Sequence, residues 1–223
     1  MAETPSLTLH SYWRSSAAYR VRIALALKGL PYRQVPWQMA QGEHLQPAYR
    51  ALAPFGLVPM LEIDGLRLQQ SLAIIEYLDA RHPAPALLPA DPASRAQARA
   101  LALLVACEVH PLNNLRALKR LRAQFGADDD QVHDWYRHWC EEGFRAFEAA
   151  LPARRGHYAL GDAPTLAECC LVPQVYNALR YGVDLAPFTQ VRAIVEACAA
   201  LPAFDAARPE NQPDAPRPAQ AAA

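Results

Sequence analysis

The stretch Trp13-Arg-Ser-Ser-Ala-Ala-Tyr-Arg-Val-Arg-Ile23 joins two kinds of periodicity. Before it, Leu7 and Leu9 alternate with Thr8 and His10, and the alternation runs on into aromatic Tyr12 and Trp13, which reads as a strand. After it, Val21, Ala24, Leu25 and Leu27 recur at helical spacing from Ser16 to Lys28, and Gly29 suits the C-terminal cap. A strand that becomes a helix through Ser15 and Ser16 sets two hydroxyls and the unsatisfied N–H groups of a first turn at a positive helix end. Such a place holds an anion, for instance a thiolate. Serine is equally the ordinary cap of a helix, and this stretch alone leaves the two readings open.

Working outward, 31–37 reads as a second strand and 43–52 as a short helix. Met60-Leu-Glu-Ile63 and Leu66-Arg-Leu68 flank Asp64-Gly65, a strong two-residue hairpin signal. Ser71 then opens a helix carrying Ile74, Ile75 and Leu78. The order β-α-β-α-β-β-α gives one parallel pair and an antiparallel hairpin, hence a mixed four-stranded sheet. Beyond Pro83-Ala-Pro85-Ala-Leu-Leu-Pro89-Ala-Asp-Pro92, a stiff linker, the signals are helical only. A long helix from Asp91 or Ser94 to about Leu121 is disturbed at Pro111, another runs from Gln131 to Leu151, Thr165-Leu-Ala-Glu168 forms a capping box, and Phe188 to Leu201 closes the set. The expected organisation is therefore an α/β domain over 1–83, a linker over 84–93, an all-helical domain over 94–207, and a Pro- and Ala-rich mobile tail over 208–223.

Composition narrows the function. The 22 Lys and Arg balance 22 Asp and Glu, which argues against a nucleic-acid partner. Apolar runs are too short to span a bilayer, so no membrane partner is expected, and the first residues lack the basic and apolar pattern of a secretory signal. The five cysteines form no C-x-x-C pair and read as buried thiols of a reducing, cytoplasmic compartment. Cys107 and His110 have metal-ligand spacing, but no second pair completes a site, so no metal is expected. G-x-S-x-G, P-loop and G-x-G-x-x-G motifs are absent.

Other residues have chemical potential. Val58-Pro59 precedes the hairpin; a cis bond there is uncommon on general grounds. After the hairpin, Ser71 either caps its helix or receives a carboxylate. His110, Asn113, Asn114 and Arg116 form either a kinked helix with satisfied polar groups or a polar wall facing a cleft. Arg180, taken alone, reads as a solvated arginine.

These residues resemble the zeta-class glutathione transferases, a family that includes maleylacetoacetate isomerase and bacterial maleylpyruvate isomerase. The resemblance rests on Ser11-Tyr-Trp-Arg14-Ser15-Ser16-x-x-Tyr-Arg20-Val-Arg22-Ile, Leu57-Val58-Pro59, Ile63-Asp-Gly65, Gln70-Ser71-Leu-Ala-Ile-Ile-Glu-Tyr-Leu78, Leu87-Leu-Pro89 and Leu171-Val-Pro-Gln-Val175, and spans about residues 6–205. It implies a thioredoxin-like N-terminal domain, the glutathione transferase fold, a homodimer, and glutathione as cofactor. It further implies that Ser15 and Ser16 flank the glutathione thiolate and that Val58, before a cis Pro59, pairs with the cysteinyl backbone. Gln70 and Ser71 would hold the γ-glutamyl end and His44 the glycine end. His110, Asn113 and Asn114 would line the cleft, Arg14 and Arg180 would face a dicarboxylate substrate, and Arg116 joins them as a candidate.

The implied reaction is cis–trans isomerisation of maleylacetoacetate or maleylpyruvate in the breakdown of tyrosine or other aromatic compounds. A general glutathione transferase acting on α-halo acids would use the same residues. A non-catalytic module of the same fold would have no need of the Ser-Ser motif. One departure stands out. Many zeta members read Ser-Ser-Cys here, whereas this chain has Ala17. A thiol-disulfide enzyme of the omega type is therefore disfavoured, because the sulfur must come from the cofactor.

Overall fold

The structure is a computed structural model and describes residues 7–153 and 156–216. Strands β1 (Thr8–Ser11), β2 (Arg33–Pro36), β3 (Met60–Ile63) and β4 (Leu66–Gln69) form one sheet in the order β2-β1-β3-β4. β1 runs parallel to β2 and antiparallel to β3, which pairs antiparallel with β4. The hairpin between β3 and β4 turns through Asp64 (φ 51°) and Gly65 (φ 76°). Two successive positive φ values match the right-handed twist of the flanking strands, which is why Asp-Gly signalled the hairpin. Helix α1 (Ser16–Leu27) crosses between the parallel strands, and α3 (Ser71–Arg81) follows β4 and packs beside α1. This is the thioredoxin-like arrangement expected from the sequence.

The expected helix over 43–52 is instead two short 3-10 turns, Met39–Gln41 and Glu43–Leu45, followed by α2 (Pro47–Arg50). Gly42 at φ 77° and the extended Gln46 before Pro47 break the helical path twice.

A second unit spans residues 86–200. Its helices are α4 (Pro92–Leu103), α5 (Leu115–Phe125), α6 (Asp129–Ala150), α7 (Leu166–Arg180) and α8 (Thr189–Ala199). The expected long helix to Leu121 is divided. After α4 the chain widens into π-helix over Leu104–Val109, where the His110 N–H reaches the Val105 carbonyl at 2.9 Å. Pro111 has no N–H to continue the ladder, and Asn114 then caps α5 by accepting from the Arg116 N–H at 3.1 Å. In α7 the capping box is present and deeply set. Glu168 is completely buried and accepts from the N–H groups of Ala159 and Thr165 and from the Thr165 hydroxyl, each within 2.8 Å. Burial pushes its carboxyl above the usual range, while those three donors oppose the shift.

The expected boundary at 207 differs from the observed division. Residues 201–216 belong with residues 7–85. Helix α9 (Pro202–Ala206) packs on α1, and the Ala207 carbonyl accepts from Arg22 Nε at 3.1 Å. Asp214, assigned from sequence to a mobile tail, accepts from the Trp13 N–H at 2.9 Å and from Gln34 Nε2 at 3.0 Å. These bonds tie 208–216 to β1 and β2; residues 217–223 lie outside the described residues.

Candidate active site

Strand register assembles the site in the first unit. His10 pairs with Met60, and Met60 pairs with Gln69. The turn after β1, the Val58-Pro59 step before β3 and the Gln70-Ser71 step after β4 therefore share one end of the sheet. The N-termini of α1 and α3 open at that end, so their unsatisfied N–H groups and positive dipole ends lie on it as well.

Arg22 fixes the turn between β1 and α1. Its fully buried guanidinium donates to Ser11 Oγ (3.2 Å), the Tyr12 carbonyl (3.4 Å) and the Trp13 carbonyl (2.9 Å). Neither the spacing nor the apolar pattern of α1 marked this arginine as a structural hub. Its only sequence signal was a cation on a helix face otherwise destined for the core.

Of the two alternatives left open above, the structure shows the cap at Ser15. It is the N-cap of α1, its Oγ accepting from the Ala18 N–H at 3.2 Å. A hydroxyl has one hydrogen besides its lone pairs, and among the described residues that hydrogen has no acceptor. Ser15 is half-buried, Ser16 beside it is buried, and Arg14 is exposed with its guanidinium 5.6 Å from the Trp13 ring centroid.

The Val58-Pro59 bond is cis. Neither the N–H nor the carbonyl of Val58 has a hydrogen-bond partner among the described residues, so both are available at this end of the sheet. The preceding residue is held by Tyr49, whose buried hydroxyl donates to the Leu57 carbonyl at 2.8 Å. Val58 itself packs in a cluster with Tyr12, Tyr49, Ala53 and Met60. Replacing Tyr49 by Phe removes that one bond and is expected to cost about 1 kcal/mol. Denaturant titration checks this, and a midpoint equal to that of the parent protein would show that the bond does not hold Leu57.

Gln70 has φ 70° and ψ 113°, a backbone conformation rare for a residue with a Cβ. Residues held in such conformations cluster at ligand clamps and active sites. Ser71 follows, buried, with its Oγ accepting from Arg20 Nη1 at 3.2 Å. The first turn of α3 has no acidic residue and no side-chain cap. His44 lies buried in the loop over 42–56 of the same unit.

The candidates of the helical unit divide. His110 is half-buried, with its Nε2 3.4 Å from Asn114 Nδ2. Asn113, expected to line a cleft, uses its amide nitrogen inside the unit. It is buried and donates to the Tyr136 carbonyl (3.3 Å) and Cys140 Sγ (3.4 Å), while its Oδ1 has no partner among the described residues. Asn114 uses its carbonyl oxygen as the α5 cap, and Arg116 is exposed on the first turn of α5. Arg180 is exposed at the end of α7 and donates to Asn177 Oδ1 at 3.2 Å. Cys140 is no nucleophile, since burial pushes its thiol up to about 12. Cys107 is the cysteine that the structure leaves exposed.

Residues 5–80 match the family model for the glutathione S-transferase N-terminal domain. A maleylpyruvate isomerase from a Ralstonia species is 48% identical over 210 residues, covering 93% of this chain and 99% of the relative. The chain belongs to the zeta-class glutathione transferases, the family of the maleylacetoacetate and maleylpyruvate isomerases. Among solved structures, a holo maleylpyruvate isomerase described as a zeta-class bacterial glutathione S-transferase superposes with a TM-score of 0.92 at 48% identity, covering 94% of this chain and all of that one. A maleylacetoacetate isomerase from Anaeromyxobacter dehalogenans with glutathione bound in its active site gives a TM-score of 0.86 at 46% identity, covering 96% and 100%. The resemblance read from Ser11–Ile23 thus extends over nearly the whole chain.

Proposed function

We propose that this protein is a glutathione-dependent isomerase that converts a cis-enedione dicarboxylate, maleylacetoacetate or maleylpyruvate, into its trans isomer. One observation carries the reading: Ser15 and Ser71 each use an Oγ lone pair on a protein donor, leaving the hydroxyl hydrogen for a ligand, at the sheet end where the Val58 backbone is unpaired. A thiol tripeptide suits this donor set. Ser15 and Ser16 would hold its sulfur, Val58 its cysteinyl backbone, Gln70 and Ser71 its γ-glutamyl end, and His44 its glycine end.

Glutathione, when bound, supplies a thiolate that adds reversibly to the conjugated double bond, making it a single bond that can rotate. The rest falls to the protein. The Ser15 hydroxyl and the α1 N-terminus favour a negative sulfur over a neutral one and so lower the thiol pKa. Arg14 and Arg180 supply guanidinium forks for the two substrate carboxylates. His110, Asn114 and Arg116 complete the set as substrate- or cofactor-facing groups. The protein needs no nucleophile of its own, which fits Ala17 in place of the cysteine that many zeta members have there.

The test follows the conjugated chromophore of each substrate with and without glutathione. Glutathione-dependent loss of absorbance supports the reading, and isomerisation that proceeds equally well without glutathione overturns it. Arg180→Ala is expected to raise KM for the dicarboxylate about tenfold, with little change for an uncharged electrophile; equal effects on both would remove Arg180 from carboxylate recognition. The same reading takes a second copy of the chain as partner, the cytoplasm as location and aromatic breakdown as setting. Phe55, at 76% exposure, and Leu45, at 49%, offer the first unit apolar surface for that second copy. Sedimentation at twice the chain mass of 24.6 kDa supports this, and a monomer at working concentration would refute it.

A further inference from the structure

Helix α1 and its C-cap carry three buried cations, Arg20, Arg22 and Lys28, and they are treated differently. Arg22 is bonded to a hydroxyl and three carbonyls, and Lys28 has the Asp79 carboxylate and two carbonyls. Arg20, at 2% exposure, makes one hydrogen bond, to Ser71 Oγ at 3.2 Å, while its Nε and Nη2 are buried with no partner among the described residues. A guanidinium has five donors, and no described carboxylate balances this one. A buried charge left this way is costly unless something else compensates it. Among the described residues, the only group Arg20 touches by hydrogen bond opens α3, whose first turn has neither an acid nor a side-chain cap and follows the strained Gln70.

We propose that Arg20 is a positioning residue that makes the start of α3 selective for a carboxylate-bearing ligand end. It acts through Ser71. By donating to Oγ it occupies a lone pair, turns the hydroxyl hydrogen outward and polarises it. Its positive charge, undiminished by any counter-ion, adds to the dipole of α3. A ligand carboxylate received there becomes the missing counter-charge. The effect is on which ligand is held and how tightly. Arg20 itself does not touch the reacting atoms. The inference rests on the reading that Gln70 and Ser71 hold the γ-glutamyl end of glutathione.

The test is calorimetric binding of two probes to the full chain. One is glutathione; the other is the analogue with a 4-aminobutanoyl group in place of γ-glutamyl, which lacks only the α-carboxylate. Arg20→Met is expected to weaken glutathione binding about 10- to 100-fold, the range for a lost charge-assisted hydrogen bond, and to change analogue binding less than about threefold. Equal weakening of both probes, or of neither, overturns the proposal. Should Arg20→Met fail to fold, Ser71→Ala decides. It removes the hydroxyl through which Arg20 acts, so the preference for glutathione over the analogue must collapse, and retention of the parent's preference overturns the proposal. The two readings fail separately. A parent protein that binds neither probe refutes glutathione as cofactor, whereas a parent that binds both equally leaves glutathione as cofactor and refutes carboxylate selection at Ser71, and the role of Arg20 with it.

Discussion

Ser15→Ala is expected to lower isomerase kcat/KM by about 100-fold while glutathione binding falls only a few-fold. A hydrogen bond to a charged group is worth about 1.5–3 kcal/mol, and 2.7 kcal/mol corresponds to roughly 100-fold in rate. The contact that Ser15 supplies to the sulfur favours the ionised form, whereas the rest of the ligand is held by Val58, Gln70 and Ser71. The structure complicates the simple experiment, because Ser15 also caps α1 through the Ala18 N–H. Losing the cap costs about 1 kcal/mol of stability. Ser15→Gly separates the two roles, since glycine at an N-cap costs only a few tenths of a kcal/mol. Both variants should be equally inactive, with Ser15→Ala melting lower. A Ser15→Gly protein of full activity would end the thiolate assignment. The pH profile gives a second readout, as the pH at which activity rises should move upward in both variants, because a sulfur without its donor ionises at higher pH.

The largest effect on stability is expected at Lys28. Its side chain is entirely buried, and Nζ donates to Asp79 Oδ1 at 2.9 Å, the His82 carbonyl at 2.7 Å and the Pro85 carbonyl at 2.9 Å. One ammonium thus fastens the end of α1 to the end of α3 and to the chain leaving the first unit. Lys28→Met takes the ammonium away from the buried Asp79 carboxylate and from the His82 and Pro85 carbonyls. Breaking one side of a buried pair costs about 3–5 kcal/mol. For a chain of this size that is a fall in Tm on the order of 10 °C. Removing both partners in Lys28→Met with Asp79→Leu should recover at least half of the loss, because the penalty lies in a buried carboxylate that has lost its ammonium. A single variant as stable as the parent would refute this account, and so would a double variant less stable than the single one.

The parts of the fold that the sequence revealed are those with local causes. Asp64-Gly65 announces its hairpin because two positive φ values suit few residue types. Thr165 and Glu168 announce the start of α7 through reciprocal capping. What escaped was non-local. The π segment before His110 depends on how Leu104–Val109 packs between helices, and periodicity reads both α- and π-turns as helix. The bonds from the Asn113 amide to Tyr136 and Cys140 join positions 23 and 27 residues apart and left no local sign. The Ser15 and Ser71 positions were visible, yet the bonds that decide their chemistry come from Ala18 and Arg20. A sequence read alone cannot distinguish the satisfied Arg22 from the unsatisfied Arg20 two residues earlier.

Asp214 bonds to Trp13 across 201 positions of chain, and Trp13 directly precedes Arg14 and Ser15. During synthesis the first 85 residues leave the ribosome with this bond unmade, and they stay so while the whole helical unit is translated. The bond that ties the turn before Ser15 to the C-terminal segment can therefore form only after the helical unit has been translated. A chain that ends before Asp214 lacks the carboxylate that receives the Trp13 N–H and Gln34 Nε2.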